Sequence, residues 1–184
     1  QTKSYVGGHG DRRYTELLRP VVLGRHANDD RIAGLHTPGG CGALSLGFKL
    51  IAAAHPGSKV LVGTPTWPNH IPVVEAAGLS IVQYPYYDRL ESRIRFDAML
   101  EALNGANSGD VVLLHGCCHN PTGADLDDSQ WREVVDVVSR RGLIPLVDIA
   151  YQGLGRGFAE DAAGLHLLFD ACDEVMDKVG SPRG

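Results

Sequence analysis

Four runs of almost continuously apolar residues, KVLVGTP (59–65), LSIVQYPYY (79–87), DVVLLHG (110–116) and LIPLVDIAY (143–151), alternate along the chain with segments of helical periodicity. A strand that is apolar on both faces has to be covered on both faces, which places it in the middle layer between helices. The segments PVVEAAG (72–78), FDAMLEALNG (96–105) and DSQWREVVDVVSRRG (128–142) supply those helices. In the last one Trp131, Val134, Val135 and Val138 fall on one stripe, Asp127 or Asp128 can cap the start, and Gly142 suits a left-handed stop. Two further helices are expected over 42–55 and 160–175. The alternation predicts a mostly parallel α/β sheet with right-handed crossovers, and ligands of such sheets bind beyond the carboxyl ends of the strands. Chemistry is therefore expected in the loops after residues 65, 116 and 150.

With 184 residues, 43% of them hydrophobic, the chain can bury one sizeable core. Its net charge of -5 and scattered Lys and Arg argue against a nucleic-acid or anionic-membrane surface, leaving small molecules or protein as partners. No apolar run approaches the roughly 20 residues of a spanning helix, and the first residues form no apolar targeting core. Cys41, Cys117, Cys118 and Cys172 have no disulfide-framework spacing, so a reducing cytoplasm is expected. The start without Met and the end at SPRG suggest a piece of something longer.

HGCCHNPTG (115–123) gathers two thiols and two imidazoles after an apolar strand. Adjacent ligands are awkward for one tetrahedral ion, and neither a C-x-x-C pair nor a second Cys/His cluster completes a metal set. A Cys nucleophile activated by His115 or His119 is physically possible, but free Cys at the end of a buried strand more often packs as a small hydrophobe. Asn120, held before Pro121, projects a fixed amide from the strand end. TPGGCGAL (37–44) is either a phosphate cradle at a helix start or an ordinary Gly-rich turn. GLGRG (153–157) mimics a nicotinamide-dinucleotide loop but has no third Gly at the required spacing and no acidic residue after a second strand. Asp148 is an acid inside an apolar strand and needs a partner: a His, a backbone N–H, or a cofactor cation. Tyr151 follows at the same mouth, and Trp67 is either a loop plug or a stacking platform for a flat ring.

Taken in order, TPGGCGAL, PTWPNH, YPYYD, HGCCHNPTG, QW and VDIAYQGLGRG resemble the pyridoxal-phosphate-dependent aminotransferases of fold type I, with the closest likeness to the aspartate and aromatic amino-acid aminotransferases. The resemblance runs from Tyr5 to about Val175. It implies a three-layer α/β/α fold with a mostly parallel sheet, with residues 1–184 as part of the large, cofactor-binding domain, truncated before its lysine-bearing region and without the small domain. Carried over residue by residue, it pairs Asp148 with the pyridine nitrogen of pyridoxal 5'-phosphate and sets Asn120 and Tyr151 on the ring's phenolic oxygen. Trp67 covers the ring and, with Asn120, faces the substrate. Gly39, Gly40 and Cys41 hold the phosphate, Tyr5 reaches the phosphate of a neighbouring subunit, and His70 and His115 support from behind. The two thiols of 117 and 118 then read as packing.

Two departures stand out. Cys41 replaces a hydroxyl-bearing residue, a weaker donor. The register of the imine-forming lysine lands on Arg183, which stays protonated, while Lys178 is off register. The resemblance thus implies a transaminase acting on amino acids and 2-oxo acids, a homodimer or other self-association, and a chain inactive by itself. The alternative it leaves is a non-catalytic truncated form with weak cofactor binding or a role in association.

Overall fold

The computed structural model describes residues 7–179. Five strands form one parallel sheet: β1 (Lys59–Thr64), β2 (Ser80–Pro85), β5 (Val111–His115), β6 (Ile144–Ile149) and β7 (Met176–Val179), in the order β2-β1-β5-β6-β7. The helices are α1 (Arg12–Leu23), α2 (Gly39–Ala54), α3 (His70–Ala76), α4 (Phe96–Gly105), α5 (Asp128–Arg141) and α6 (Ala163–Ala171). No helix among the described residues is long and apolar enough to cross a membrane.

Strand alternation divides the interior into two cores, one on each face of the sheet. Val60, Val62, Val111, Leu113, Ile144 and Leu146 pack with Leu44 and Phe48 of α2 and Val74 of α3. Their neighbours Leu61, Val112, Leu114, Val147 and Ile149 face Met99 of α4, Trp131 of α5 and Leu165 of α6 on the other side. The three layers expected from the sequence are therefore present. From β1 the chain passes through α3 to β2, whereas β5, β6 and β7 are reached through α4, α5 and α6 from the opposite face. With crossovers of one hand, a reversal of direction across the sheet requires a change of face. That reversal falls between β1 and β5, and a crevice opens at such a point beyond the strands' carboxyl ends.

Most expected elements lie within a few residues of their observed bounds, and α4 coincides with its expected range. Helix α5 starts on a complete capping box, Asp127 with Gln130, and stops at Gly142 in the left-handed region. The expected strand 79–87 is broken. Pairing ends at Pro85, and Tyr87–Asp88 instead forms a small antiparallel hairpin with Arg93–Ile94 (β3 and β4), because Asp88 accepts from the N–H groups of Leu90 and Glu91 and turns the chain. Helix α6 is shorter than 160–175 because Asp161 is diverted into a loop, as described below. Helix α1 has no counterpart in the sequence reading. Asp11 caps it through Arg13 and Tyr14, but its internal Pro20 and largely exposed apolar stripe obscure the pattern.

Close packing of α6 on α5 makes one glycine indispensable. A Cβ at Gly164 would enter the indole of Trp131, which is itself buried. We expect Gly164→Ala to lower stability by about 1–3 kcal/mol through overpacking. Gly105→Ala, where a Cβ meets nothing within 4 Å, should change it by less than about 1 kcal/mol. Urea-denaturation midpoints of the two variants compare these outcomes directly.

Candidate active site

The carboxyl ends of β5 and β6 set His115 and Asp148 side by side in register, both directed by strand alternation towards the α2/α3 face. Asp148 is only 5% exposed, and a carboxylate at that depth needs a donor. His70, wholly buried as the first residue of α3, provides one: Nε2 lies 2.8 Å from Asp148 Oδ2. The other ring nitrogen of His70 is 2.7 Å from Thr66 Oγ1, which in turn lies 3.1 Å from His115 Nε2. With His70 Nε2 donating to Asp148, its Nδ1 meets the Thr66 hydroxyl, which also meets His115. Of the partners open to Asp148 in the sequence, a histidine is thus engaged.

Trp67 stands edge-on to His70, ring centroids 5.4 Å apart, and packs against the α2/α3 core. His115 and His119 approach to 4.0 Å between centroids, and His119 stacks on Tyr86 at 4.4 Å. Burial pushes the His119 imidazole down to about 4, against an upward pull from Asp125. A neutral ring is what this packed stack requires.

The loop after β5 and the loop after β6 meet beyond the sheet. Asn120 and Tyr151 line one cleft of about 310 Å³ with Cys118, His119, Pro121 and Leu154. The Cys118 thiol points to the Tyr151 carbonyl at 3.9 Å. Cys117 is buried and its thiol is pushed up to about 12, chiefly by burial and next by Asp161, while the Cys118 thiol is raised by the same two influences together with Asp125. Both therefore stay protonated near neutrality, as packing groups do and activated nucleophiles do not.

Tertiary structure brings Asp161 to this thiol pair, so that donor atoms of Cys117, Cys118 and Asp161 lie within 4.8 Å of one another. A third potential metal donor was not visible from spacing. Its oxygens, however, already accept the N–H groups of Gly153, Gly155 and Arg156 at 2.8, 3.0 and 2.7 Å. Those are the amides of the GLGRG segment, turned inward onto a carboxylate and so unavailable to a dinucleotide phosphate.

Gly39, Gly40 and Cys41 form the first turn of α2, and the helix begins at the glycines themselves rather than at residue 42. Pro38 at its start supplies no side-chain cap, and Gly39 has a φ of +69° with open space where a Cβ would be. The first-turn N–H groups of a helix have no intrahelical partner, and Pro38 supplies them no side-chain cap, as an anion site requires. Cys41 is exposed, and Asn69 Nδ2, from the Trp67 loop, lies 3.8 Å from its sulfur. The start of α2 is thereby joined to the Trp67–His70 segment. Tyr5 and Arg183 lie outside the described residues. Lys178 pairs with Asp148 in the β6–β7 register.

A larger cavity, about 400 Å³, is lined among others by Arg31, His55, Ile144, Phe169 and Met176. Ile144 and Met176 open their strands, so this cavity lies at the amino ends of β6 and β7, opposite the crevice. The convergence of Asp148, Asn120, Tyr151 and the helix start at the carboxyl ends outweighs volume in locating the site. Thr66, Tyr86, Asp125 and Asp161 were missed in the sequence. Thr66 could have been suspected from its place two residues beyond the end of β1, between Pro65 and Trp67.

Residues 1–179 match the family model described as Aminotransferase class I and II. A tyrosine aminotransferase of Rhizobium meliloti (strain 1021) is 46% identical over 182 residues, covering 99% of this chain and 46% of the relative. An aromatic-amino-acid aminotransferase of Pseudomonas aeruginosa is 47% identical over 178 residues, covering 95% and 44%. Among solved structures, an aromatic-amino-acid aminotransferase from Burkholderia pseudomallei, covalently bound to pyridoxal phosphate, superposes with a TM-score of 0.92 at 38% identity, covering 98% of this chain and 46% of its own. The chain spans about half the length of the relatives it matches.

The buried imidazole makes stability depend on pH. An unfolded His119 titrates near 6.5 and takes up a proton that the folded one refuses until about 4. Its contribution is fully present above pH 6.5 and is lost as pH falls towards 4, by up to about 3 kcal/mol. Urea titrations at pH 7.5 and 4.5 should show this loss, and His119→Gln should flatten it; an equal slope in the variant would assign the acid sensitivity elsewhere.

Proposed function

Because the chain belongs to the family Aminotransferase class I and II, we propose that the whole protein moves an amino group between an amino acid, aspartate or aromatic, and a 2-oxo acid. Residues 1–184 are read as part of its large, cofactor-binding domain. The family is pyridoxal-phosphate dependent, and the residues present fit that group. The observation that supports this reading is that a buried acid (Asp148), a cleft shared by Asn120 and Tyr151, and a helix start at Gly39 without a cap from Pro38 all lie at the carboxyl ends of the strands.

When bound, pyridoxal phosphate supplies a protonated pyridine that draws electrons from the carbon losing its proton. The chain's own residues then have distinct tasks. Asp148, kept in place by His70, would pair with the pyridine nitrogen and favour its protonated form. Asn120 and Tyr151 offer an amide and a phenol to a ring oxygen from one cleft. The first-turn N–H groups of Gly39, Gly40 and Cys41 take the phosphate, with a thiol in place of the stronger hydroxyl donor. Trp67 would cover the ring and point its N–H toward the substrate carboxylate, and Asn120 would also face the substrate. Arg183 at the register of the imine-forming lysine cannot replace it, which makes the isolated chain inactive and leaves weak cofactor binding or association as its residual properties.

Partnering with a second copy is part of the same proposal. Tyr5 is read as reaching a neighbouring subunit's phosphate, and the adjoining α1 exposes Tyr14, Leu17 (63%) and Val21. Such an apolar stripe fits a contact surface.

Titration of the chain with pyridoxal phosphate should show a complex that dialysis removes, with no adduct fixed by borohydride, and Asp148→Asn should weaken it by at least about tenfold. A borohydride-fixed adduct would show that a lysine such as Lys178 forms the imine. Full-length protein should convert aspartate to oxaloacetate or phenylalanine to its 2-oxo acid, and absence of both products would reject the reaction class.

Sedimentation at high micromolar concentration should give species above 19.7 kDa. Leu17→Glu should shift them towards monomer, and a dispersed monomer without substitution would reject the association.

A further inference from the structure

Neither loop that carries Asn120 and Tyr151 is held by regular secondary structure. Each is instead wound on an acid that the cofactor reading leaves unused. Asp161 is 4% exposed, and both of its oxygens accept: Oδ2 from Gly153 and Gly155, Oδ1 from Arg156. The turn is closed so tightly that a Cβ at Gly155 would lie 2.6 Å from Asp161 Oδ1. Asp125, more exposed, grips the other loop with both oxygens, Oδ2 to Cys118 N at 2.7 Å and Oδ1 to His119 N at 2.8 Å. The two gripped loops touch where the Cys118 thiol meets the Tyr151 carbonyl.

We infer that Asp161 and Asp125 are positioning residues: the first sets Tyr151 and the second sets Asn120 by anchoring the backbone next to each of them. The inference rests on the cofactor reading for its purpose, and on the hydrogen bonds alone for its geometry. A carboxylate accepting several N–H groups holds a loop more firmly than a neutral acceptor does, since charge-assisted bonds are the stronger class. Burial would raise the Asp161 pKa, but the N–H groups of Arg156, Gly155 and Gly153 outweigh it and lower the pKa, so the charge persists. A metal-ligand role for Asp161 with Cys117 and Cys118 is disfavoured by the same bonds, which already use its oxygens, and by two thiols that burial keeps protonated.

Further ties limit what either loop can do once its acid is removed. Gln152 Nε2 donates to the carbonyls of Val21 and Phe158, and Arg156 reaches Asp128 Oδ1 at 2.9 Å. These hold the ends of the 151–158 segment while leaving its middle to Asp161. On the other loop the Thr122 hydroxyl meets His119 Nδ1 at 2.9 Å, and the Ala124 carbonyl accepts from Tyr86. Loss of either carboxylate should therefore loosen one loop and leave the sheet intact.

The test uses the 184-residue chain, isotope-labelled, with Asp161→Asn and Asp125→Asn read by nuclear magnetic resonance. Asp161→Asn should raise amide exchange at Gly153, Gly155 and Arg156 by at least about tenfold and move the Tyr151 ring resonances, with the amides of β5 and β6 still protected. Asp125→Asn should do the same to the amides of Cys118 and His119 and to the Asn120 side-chain amide, leaving Tyr151 in place. Should an Asn variant lose the protection of β5 and β6, Asp161→Glu or Asp125→Glu, which keeps the charge but displaces it, is read in the same way. Unmoved Tyr151 and Asn120 signals in folded variants overturn the inference, whether or not the loop amides exchange faster. A pyridoxal phosphate titration run in parallel separates the two readings. Uptake by the wild type and at least about fivefold weaker uptake by both variants supports positioning for the cofactor. No uptake by the wild type rejects cofactor binding by this chain, while the side-chain signals still decide the anchoring.

Discussion

A carboxylate inside an apolar strand is the constraint on which this architecture turns. Asp148 cannot be buried without a donor, and the donor comes from α3 across the point where the sheet reverses direction. Satisfying it fixes His70, and His70 through Thr66 fixes His115 on the adjacent strand. One desolvation cost thereby aligns the ends of β1, β5 and β6. The crevice that α/β topology opens at the same place becomes a polar site with its side chains already oriented.

Acids recur in this chain as holders of backbone rather than as reactants. Asp110, also buried, accepts from the N–H groups of Lys59 and Asn107 at the amino end of the sheet. Asp127 caps α5, while Asp125 and Asp161 organise the two site loops. Each meets the same requirement, that N–H groups without a regular partner find an acceptor before they are buried. This use of acids separates two glycine-rich segments of similar composition. At 153–157 an acid accepts from the amides of Gly153, Gly155 and Arg156, whereas Pro38 gives the start of α2 no side-chain cap.

The histidines show how packing assigns chemistry. His70, His115 and His119 lie in a continuous contact of rings, and burial against Tyr86 lowers the pKa of His119. The thiols beside it are likewise held protonated by burial and by the neighbouring carboxylates. A stretch that in isolation suggests metal or thiol chemistry is thus packed as stacked rings and protonated thiols beside Asn120.

Much of this was legible in the sequence because its causes are local. Continuous apolar runs require covered strands, the capping box and Gly142 delimit α5, and an acid within LVDIAY demands a partner. The segments carrying the candidate site residues stood out for the same reason, since each sits where a strand or helix ends. What could not be read were the agreements between distant residues. That the partner of Asp148 is His70, 78 positions earlier, follows only from the strand order and the face reversal. That the GLGRG amides turn inward follows from Asp161 arriving beneath them, and the break after Pro85 follows from Asp88 capping the next turn. Periodicity and end signals act within one element and survive in a linear string. Which donor meets which acceptor is decided by packing, because only in the folded chain does the loss of water make each pairing obligatory.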